Sequence, residues 1–410
     1  MSLLERLDDE AVWHEFAEHK RSKAALSKRA DAQLNDFLAA RSWEPVVAAI
    51  AAGESFGIPE KRLINKMSSG KKRVVYTFEP SQTWVLKLLA YLLYEYDGRQ
   101  PAGCYSFRRG QGAHQAIRDL IHTRGISSLW SFKADISDYF NSIDIPTLLP
   151  QLELLLHDDP PLFRFLAALL GNPQVRTGDS IIEEPHGVMA GIPIAPFLAN
   201  LYLAELDEHF TGLGVPYARY SDDIIFFASS QAQLAQYRSY LDAVLARRKL
   251  FLNPNKVSIS APGEPWEYLG FGFTDGQIDL STATRKKLKG KISRRARAIR
   301  RWMLRKEAEP ERAVRAMIRT FNRKFFESDA NRELTWSRWF FPLLTRADSL
   351  HEIDAYLQRY LRYIPTGRHS DANYSLRYPK LKALGYRSLA HEYFRFTSER
   401  ARHSPAPSRA

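Results

Sequence analysis

Three aspartates in this sequence have the spacing and the local context of a metal site. Asp222 and Asp223 are adjacent and lie between two apolar, β-prone runs, which is the pattern of a hairpin turn. Asp135 ends another apolar run, residues 131–135, that we predict to be a strand. Adjacent carboxylates repel each other, and a divalent cation that both can bind is the simplest reason to keep them ionised. Alone, the Asp-Asp pair would more often be an ordinary exposed turn, so the third carboxylate decides for a metal site.

Three converging carboxylates indicate a particular chemistry. With two cations they can activate a 3′-hydroxyl and stabilise a departing pyrophosphate, which is the two-metal logic of polymerases. Magnesium is the expected ion, with manganese as a substitute, because it binds few protein carboxylates and completes its coordination with substrate phosphates. We therefore predict that Asp135, Asp222 and Asp223 carry the catalytic metals.

The composition favours a polyanionic partner. The chain of 410 residues contains 59 Lys and Arg against 46 Asp and Glu, a formal net charge of +13, and its pI is about 9.6. This balance is typical of proteins that bind nucleic acid. No apolar run is long enough for a transmembrane helix and the first ten residues include acids instead of a signal pattern, so we expect a cytoplasmic protein without membrane contact. Cys104 is the single cysteine, which excludes an internal disulfide.

Three basic segments could contact phosphates. A Gly turn with alternating side chains predicts a hairpin over residues 66–80, and its cationic tip could hold a triphosphate, although a solvated turn is the simpler interpretation. The Gly-rich loop 105–112 suits either phosphate contact or a plain turn. Residues 285–306 are predicted to form an amphipathic helix with densely cationic outer faces, for which we favour nucleic-acid contact over a membrane surface. Its apolar stripe is Leu288, Ile292, Ala296, Ile299 and Met303.

Several motifs follow one another in the order found in bacterial reverse transcriptases, a group that includes group II intron proteins, retron enzymes and the defence-associated unknown-group and abortive-infection enzymes. The chain resembles this group over about residues 65 to 275. The resemblance implies an α+β right-hand polymerase with fingers, a palm and a helical thumb. The matching segments are residues 66–80, 105–117, 135–143, 186–203, 220–223, 252–256 and 267–271.

The resemblance also implies roles for individual residues. The metal site would comprise Asp135, Ile136, Asp222 and Asp223. Phe140 would crowd the sugar 2′ position and exclude ribonucleotides. The predicted nucleotide-binding residues are Lys66, Arg73, Phe140, Ala190, Gly191 and Lys256. The predicted nucleic-acid-binding residues are Arg108, Arg109, Tyr220, Leu269, Gly270, Lys287, Lys291, Arg294 and Arg295.

One position departs from the family pattern. Met189, Ala190 and Gly191 stand where relatives often have Pro-Gln-Gly, so the glutamine amide that would touch the incoming nucleotide is absent. This difference leaves nucleotide preference and template dependence open.

We expect four parts in the chain: a helical N-terminal extension (1–60), fingers and palm (61–280), a basic helical thumb and C-terminal domain (281–398), and a disordered tail (399–410). The expected function is an RNA-directed DNA polymerase that uses an RNA template, dNTPs and two Mg²⁺ ions and leaves a DNA/RNA duplex. A structured non-coding RNA as template and a role in bacterial anti-phage defence are further expectations from the resemblance, since the sequence has no recognisable His-Asn-His or Cys-rich nuclease module.

Two alternatives stay open. The chain could be a template-independent or protein-primed DNA polymerase, with Tyr374 as a candidate priming residue. It could also be a non-catalytic RNA-binding protein on a polymerase scaffold, although the intact acids argue against this because a scaffold gains nothing from clustering them.

Overall fold

The computed structural model of the chain describes residues 2–23, 26–54, 56–65, 72–327, 335–369 and 376–403. They belong to two compact units, Met1–Glu264 and Pro265–Ala410. Each unit contains both helices and β-sheets, so the mixed α+β class predicted from the sequence is confirmed. None of the helices in these ranges combines the length and the hydropathy needed to cross a membrane.

The first unit contains two sheets and most of the helices. Its strands are β1 Glu60–Asn65, β2 Lys72–Thr77, β3 Trp130–Asp135, β4 Gln174–Thr177, β5 Ser180–Glu183, β6 Tyr217–Tyr220, β7 Asp223–Ala228 and β8 Ser258–Ser260. Its α-helices are α1 Glu10–Ser22, α2 Lys28–Ala39, α3 Glu44–Ala51, α4 Pro80–Leu92, α5 Ala113–His122, α6 Tyr139–Ser142, α7 Ile145–Leu155, α8 Pro160–Gly171, α9 Ala195–Tyr202, α10 Ala204–Gly212 and α11 Gln231–Arg247.

One of the two sheets has the strand order β6-β7-β3-β8, with antiparallel neighbours throughout. The rings of Phe132 and Phe226, directly opposite each other on β3 and β7, stack at 4.8 Å, and Phe226 stacks at 4.8 Å on Phe210 of α10. Aromatic cross-strand pairs of this kind fix the register of a sheet. In this register Asp135 at the end of β3 lies opposite Asp223 at the start of β7.

The other sheet has the order β2-β1-β4-β5. Antiparallel pairing of β1 with β2 shows a hairpin here, but its first strand is residues 60–65, which precede the predicted range 66–80, and residues 66–71 lie outside the described residues. Trp13, Phe16 and Trp43 from the N-terminal helices are buried in the same core as Trp84 and Tyr91 of α4. The N-terminal helices are therefore packed into the first unit by large aromatic side chains.

The second unit consists of a three-stranded sheet and a group of helices. The strands are β9 Trp266–Tyr268, β10 Phe271–Thr274 and β11 Gln277–Leu280, and the helices are α12 Thr282–Arg305, α13 Pro310–Phe326, α14 Trp336–Phe340, α15 Asp348–Thr366, α16 Tyr378–Ala383 and α17 Leu389–His403. The five residues of the predicted apolar stripe are the buried residues of α12, which confirms the amphipathic helix. α17 extends through residues 399–403, which the sequence placed in the tail, and 404–410 lie outside the described residues.

Candidate active site

The two adjacent aspartates lie at the turn of the β6–β7 hairpin, as the sequence predicted. Tyr220 pairs with Asp223 across the hairpin, so only two residues connect the strands. The first of them, Ser221, has a φ of 61° and is buried. A left-handed residue in a two-residue turn matches the twist of the strands, and it sets the direction of the following Asp222.

The third aspartate reaches the same place through the neighbouring strand. One oxygen from each of Asp135, Asp222 and Asp223 lies within 4.8 Å of the other two. Backbone hydrogen bonds hold this arrangement: the Ile136 N–H donates to the Asp222 carbonyl at 3.0 Å, and the Asn253 N–H donates to the Asp135 carbonyl at 2.7 Å. The structure thus brings together all four residues of the predicted metal site, with Ile136 buried beside the carboxylates.

The electrostatics of these carboxylates suit a divalent cation. Burial raises the pKa of Asp222, and the charge of Asp135 raises it further. Burial, aided by the charges of Asp222 and Asp135, raises the pKa of Asp223 to about 6 against the pull of Lys133. Buried carboxylates so close together are costly to ionise, and an ion with a preference for hard oxygen ligands removes that cost. The donor set therefore fits Mg²⁺ or Mn²⁺.

Lys256 makes direct contact with this acidic group. Its Nζ donates a hydrogen bond to an Asp135 carboxylate oxygen. Partial burial alone would lower the pKa of Lys256, but the bond to Asp135 and the charges of all three aspartates raise it instead. Lys256, which the sequence placed near the nucleotide, is thus a cation at the edge of the metal site.

Three further predicted nucleotide-binding residues lie near the point where the backbone of residues 190–191 contacts β2. Ala190 is buried, its N–H donates to Asn141 Oδ1 at 3.0 Å, and its carbonyl accepts from the Tyr76 N–H of β2 at 2.8 Å. Gly191, with a φ of 108°, passes so close to β2 that a Cβ there would lie 3.1 Å from the Tyr76 carbonyl oxygen. Arg73 of β2 is exposed, and its charge lowers the pKa of Asp222. Lys66 lies outside the described residues.

Arg108 and Arg109 serve the loop in which they lie. The Arg108 guanidinium donates to four backbone carbonyl groups, those of Asp97, Gln100, Pro101 and Cys104. Arg109 lies over the rings of Tyr91 and Tyr94, at 4.8 and 4.9 Å from the ring centroids. These contacts hold the loop to the end of α4, and binding of nucleic acid by the two arginines stays a prediction.

The remaining predicted nucleic-acid contacts are in both units. Tyr220 is half-buried in the first unit, and burial raises the pKa of its hydroxyl. In the second unit, Leu269 and Gly270 form the turn between β9 and β10 with φ angles of 48° and 90°. The predicted cations of α12 lie off its buried face, and burial together with nearby cations lowers the pKa of Lys291. The members of this set on α12 are Lys287, Lys291, Arg294 and Arg295.

A buried polar network beneath the hairpin is a feature that the sequence analysis missed. Arg219 of β6 is completely buried, donates from Nε and Nη2 to both carboxylate oxygens of Asp207, and donates to the carbonyls of Asn200 and Ser221. Ser106 joins the network, since its hydroxyl oxygen accepts from the Ser221 N–H at 2.8 Å. Arginine in the middle of an apolar strand was the available sequence signal, but its partners could not be identified without the fold.

The family model described as "Reverse transcriptase (RNA-dependent DNA polymerase)" matches residues 61–273. Among curated proteins, the retron Ec86 reverse transcriptase of Escherichia coli is 28% identical over 106 residues, which are 25% of this chain and 33% of that protein. An uncharacterized 91 kDa protein in a cob intron of Schizosaccharomyces pombe is 26% identical over 171 residues, 42% of this chain and 21% of that protein. The chain therefore spans a third or less of the length of these relatives.

Two solved telomerase structures are also similar. The apo telomerase of Candida tropicalis, truncated from its C-terminal domain, gives a TM-score of 0.43 at 12% identity and covers 55% of each chain. The telomerase of Candida albicans, in complex with a TWJ fragment of telomeric RNA, gives a TM-score of 0.43 at 14% identity and covers 90% of this chain and 71% of that one.

Proposed function

Because this chain belongs to the reverse transcriptase (RNA-dependent DNA polymerase) family, we propose that it synthesises DNA from dNTPs on an RNA template. The observation that carries the proposal is the convergence of Asp135, Asp222 and Asp223 within 4.8 Å, at the end of β3 and at the turn that leads into the adjacent β7. The matched region 61–273 includes all three aspartates, and family membership and the geometry both lead to metal-dependent nucleotidyl transfer.

In the proposed reaction the three aspartates hold two Mg²⁺ ions. When bound, these ions supply Lewis-acid stabilisation of the attacking 3′-oxygen and of the pyrophosphate leaving group. Asp135, Asp222 and Asp223 would supply the carboxylate oxygens that hold the ions. Lys256, which contacts Asp135, would offer its ammonium group to the triphosphate, and the exposed Arg73 of β2 would supply a planar guanidinium for the same phosphates.

The sugar and the base would be bounded by less polar groups. Phe140 is half-buried and follows Asp135 by five residues, and the family resemblance assigns its ring to the 2′ position of the incoming nucleotide. Ala190 contributes only a methyl group and already uses its backbone N–H and carbonyl within the protein. We therefore propose that recognition at this position depends on shape and not on a side-chain hydrogen bond.

The test is extension of a labelled DNA primer with Mg²⁺ on an RNA template, on a DNA template of the same sequence, and without a template. A product on RNA whose sequence is complementary to the template supports the proposal. A product of equal length and random sequence in the absence of a template would contradict it and would favour untemplated synthesis, for which the missing glutamine amide at Ala190 is the supporting observation.

A protein-primed reaction is distinguished by repeating the experiment with a labelled dNTP and without the DNA primer. DNA that remains attached to the protein after denaturation and is released by protease would indicate priming from a tyrosine. Tyr374, the candidate from the sequence, lies outside the described residues.

For the RNA partner, we propose a structured non-coding RNA and a role in bacterial anti-phage defence. The supporting observation is the local similarity to a retron reverse transcriptase. Sequencing the RNA that copurifies with the protein should give one dominant species, whereas a random sample of cellular RNA would contradict this proposal. A dominant species together with no nucleotide incorporation would favour the non-catalytic RNA-binding alternative.

A further inference from the structure

Phe107 is an exposed aromatic residue with an unusual backbone conformation. The residue is 42% accessible to solvent, and its φ is 57°. A single exposed Phe needs no explanation by itself, but bulky residues rarely adopt left-handed backbone angles, and such residues occur often at functional sites. The position therefore calls for a physical reason beyond core packing.

Both neighbours of Phe107 in the chain are fixed by hydrogen bonds. On one side, the Ser106 hydroxyl donates to Asn200 Oδ1 at 3.1 Å, and its oxygen accepts from the Ser221 N–H of the Asp222–Asp223 turn at 2.8 Å. On the other side, Arg108 donates to four backbone carbonyl groups. The loop holds Phe107 in place from its backbone, and it is tied directly to the turn that bears the aspartates.

The Phe107 ring faces two residues of the candidate active site. Its centroid lies 6.4 Å from that of Phe140, with the rings nearly perpendicular at 76°. It also lies 6.3 Å from the centroid of Tyr220, at an interplanar angle of 38°. Edge-to-face contact is the favourable geometry for an aromatic pair, so Phe107 supports the Phe140 ring on its side.

We propose that Phe107 is a positioning residue for Phe140 and thereby sets the discrimination between deoxyribonucleotides and ribonucleotides. The inference rests on the proposed function, because it assigns sugar contact to Phe140. Without the Phe107 ring, Phe140 can turn toward the vacated space, and a 2′-hydroxyl then fits. The substrates that Phe107 would help to distinguish are nucleoside triphosphates that differ in their sugar.

The test compares kcat/KM for a dNTP and for the matching rNTP in wild type, Phe107→Ala, Phe107→Gly and Phe107→Tyr. The dNTP-to-rNTP ratio should fall roughly two- to tenfold in the Ala and Gly variants, the factor that corresponds to one aromatic pair, and should be restored in the Tyr variant. Gly tolerates the left-handed backbone whereas Ala does not, so an equal fall in both variants assigns the effect to the ring and not to backbone strain.

A double-mutant cycle tests whether the effect passes through Phe140. In a Phe140→Ala background, Phe107→Ala should leave the ratio unchanged, because the ring that it positions is absent. A ratio equal to wild type in both Phe107→Ala and Phe107→Gly would overturn the role of Phe107 and leave the proposed function standing. A wild-type protein that incorporates no nucleotide would overturn the proposed function and this role with it.

Discussion

The reactive side chains of this protein are placed mainly by backbone hydrogen bonds. Asp135 and Asp223 are neighbours through strand register, and the Ile136 N–H fixes the Asp222 carbonyl on the same side. The carboxylates are left close together and costly to ionise, and Lys256 offsets part of that cost. We therefore expect the side chain of Lys256 to compete with metal ions for Asp135.

Replacing Lys256 by Met should change the response of the protein to metal. The metal-free variant should melt at a lower temperature than wild type, because the repulsion among the aspartates is no longer offset, and MnCl₂ should raise its melting temperature by a larger amount. Thermal melts with and without MnCl₂ measure both effects.

Lys249→Met is the matched control for this experiment. Lys249 donates to Asp144 at 2.7 Å. The variant therefore loses a comparable ion pair that has no part in the acidic triad. Its manganese-induced shift should equal that of wild type. An equal shift in Lys256→Met would show that Lys256 does not compete for the site.

Among the secondary-structure elements and loops, the loop 186–191 depends on close contacts between its backbone and neighbouring backbone. Gly187, at a φ of 56°, lies against the residues that follow Asp135, and a Cβ there would stand 2.3 Å from the Phe140 carbonyl oxygen. The Val188 N–H donates to that same carbonyl at 2.9 Å. The glycine thus lets the loop bond to the backbone at Phe140.

Gly187→Ala should therefore be destabilising for two reasons. Left-handed backbone costs Ala about 1–2 kcal/mol, and displacing the Phe140 backbone should add about 1–3 kcal/mol. Gly178→Ala is the control, because Gly178 has a φ of 60° and no atom within 4 Å of its Cβ position. Urea unfolding measures both variants, and equal losses would contradict the close approach at Gly187.

A second prediction concerns the buried pair of Arg219 and Asp207 beneath the hairpin. In Arg219→Met the Asp207 carboxylate stays buried but loses its guanidinium partner. Among the described residues, the side-chain donor that remains is the Tyr217 hydroxyl, which donates to Asp207 at 2.7 Å. We expect a loss of about 3–5 kcal/mol in the free energy of unfolding. Arg62→Met, which breaks the exposed pair with Glu60, should change stability little. Similar stability of the two variants in urea would contradict a supporting role for Arg219.

The sequence predicts the elements that depend on local pattern. The hairpin around Asp222, the strand that ends at Asp135 and the buried stripe of α12 follow from periodicity and turn residues within a few positions. It does not predict the Arg219 network, because its partner Asn200 lies 19 positions away and Ser106 reaches Ser221 across 115 positions. The partners of Arg108 are close in sequence, but they are backbone carbonyl groups, whose direction depends on the loop conformation and not on residue type. Phosphate contact by Arg108 therefore stays a prediction from the sequence.

At the scale of the whole molecule, charge is distributed unevenly along the chain. The net charge of +13 includes the cationic outer faces of α12, where Lys287 and Arg294 are exposed. Repulsion from neighbouring cations contributes to the lowered pKa of Lys291 on the same helix. Such a surface gains by releasing counterions when a nucleic acid binds to it.

We expect Lys287→Gln/Arg294→Gln to weaken binding of an RNA/DNA duplex and to lower the slope of log affinity against log salt by about 0.9 for each phosphate that the protein no longer neutralises. Lys28→Gln/Arg29→Gln removes the same two charge types from exposed positions of α2 and should leave the slope unchanged. Fluorescence anisotropy at several salt concentrations measures the slopes. Equal slopes for the two variants would contradict duplex binding by α12.

We propose that three aspartates hold the metals for DNA synthesis, and primer extension on RNA by Asp222→Asn tests this claim. The substitution keeps the size of the side chain and removes its charge. Turnover should fall by a factor of at least about 10², while the urea midpoint stays equal to that of wild type or rises, since a buried charge is lost. Asp138 is an acid outside the triad, and its backbone is in a left-handed conformation that Asn tolerates. Asp138→Asn should therefore remain active. Asp222→Asn with wild-type turnover would contradict the claim.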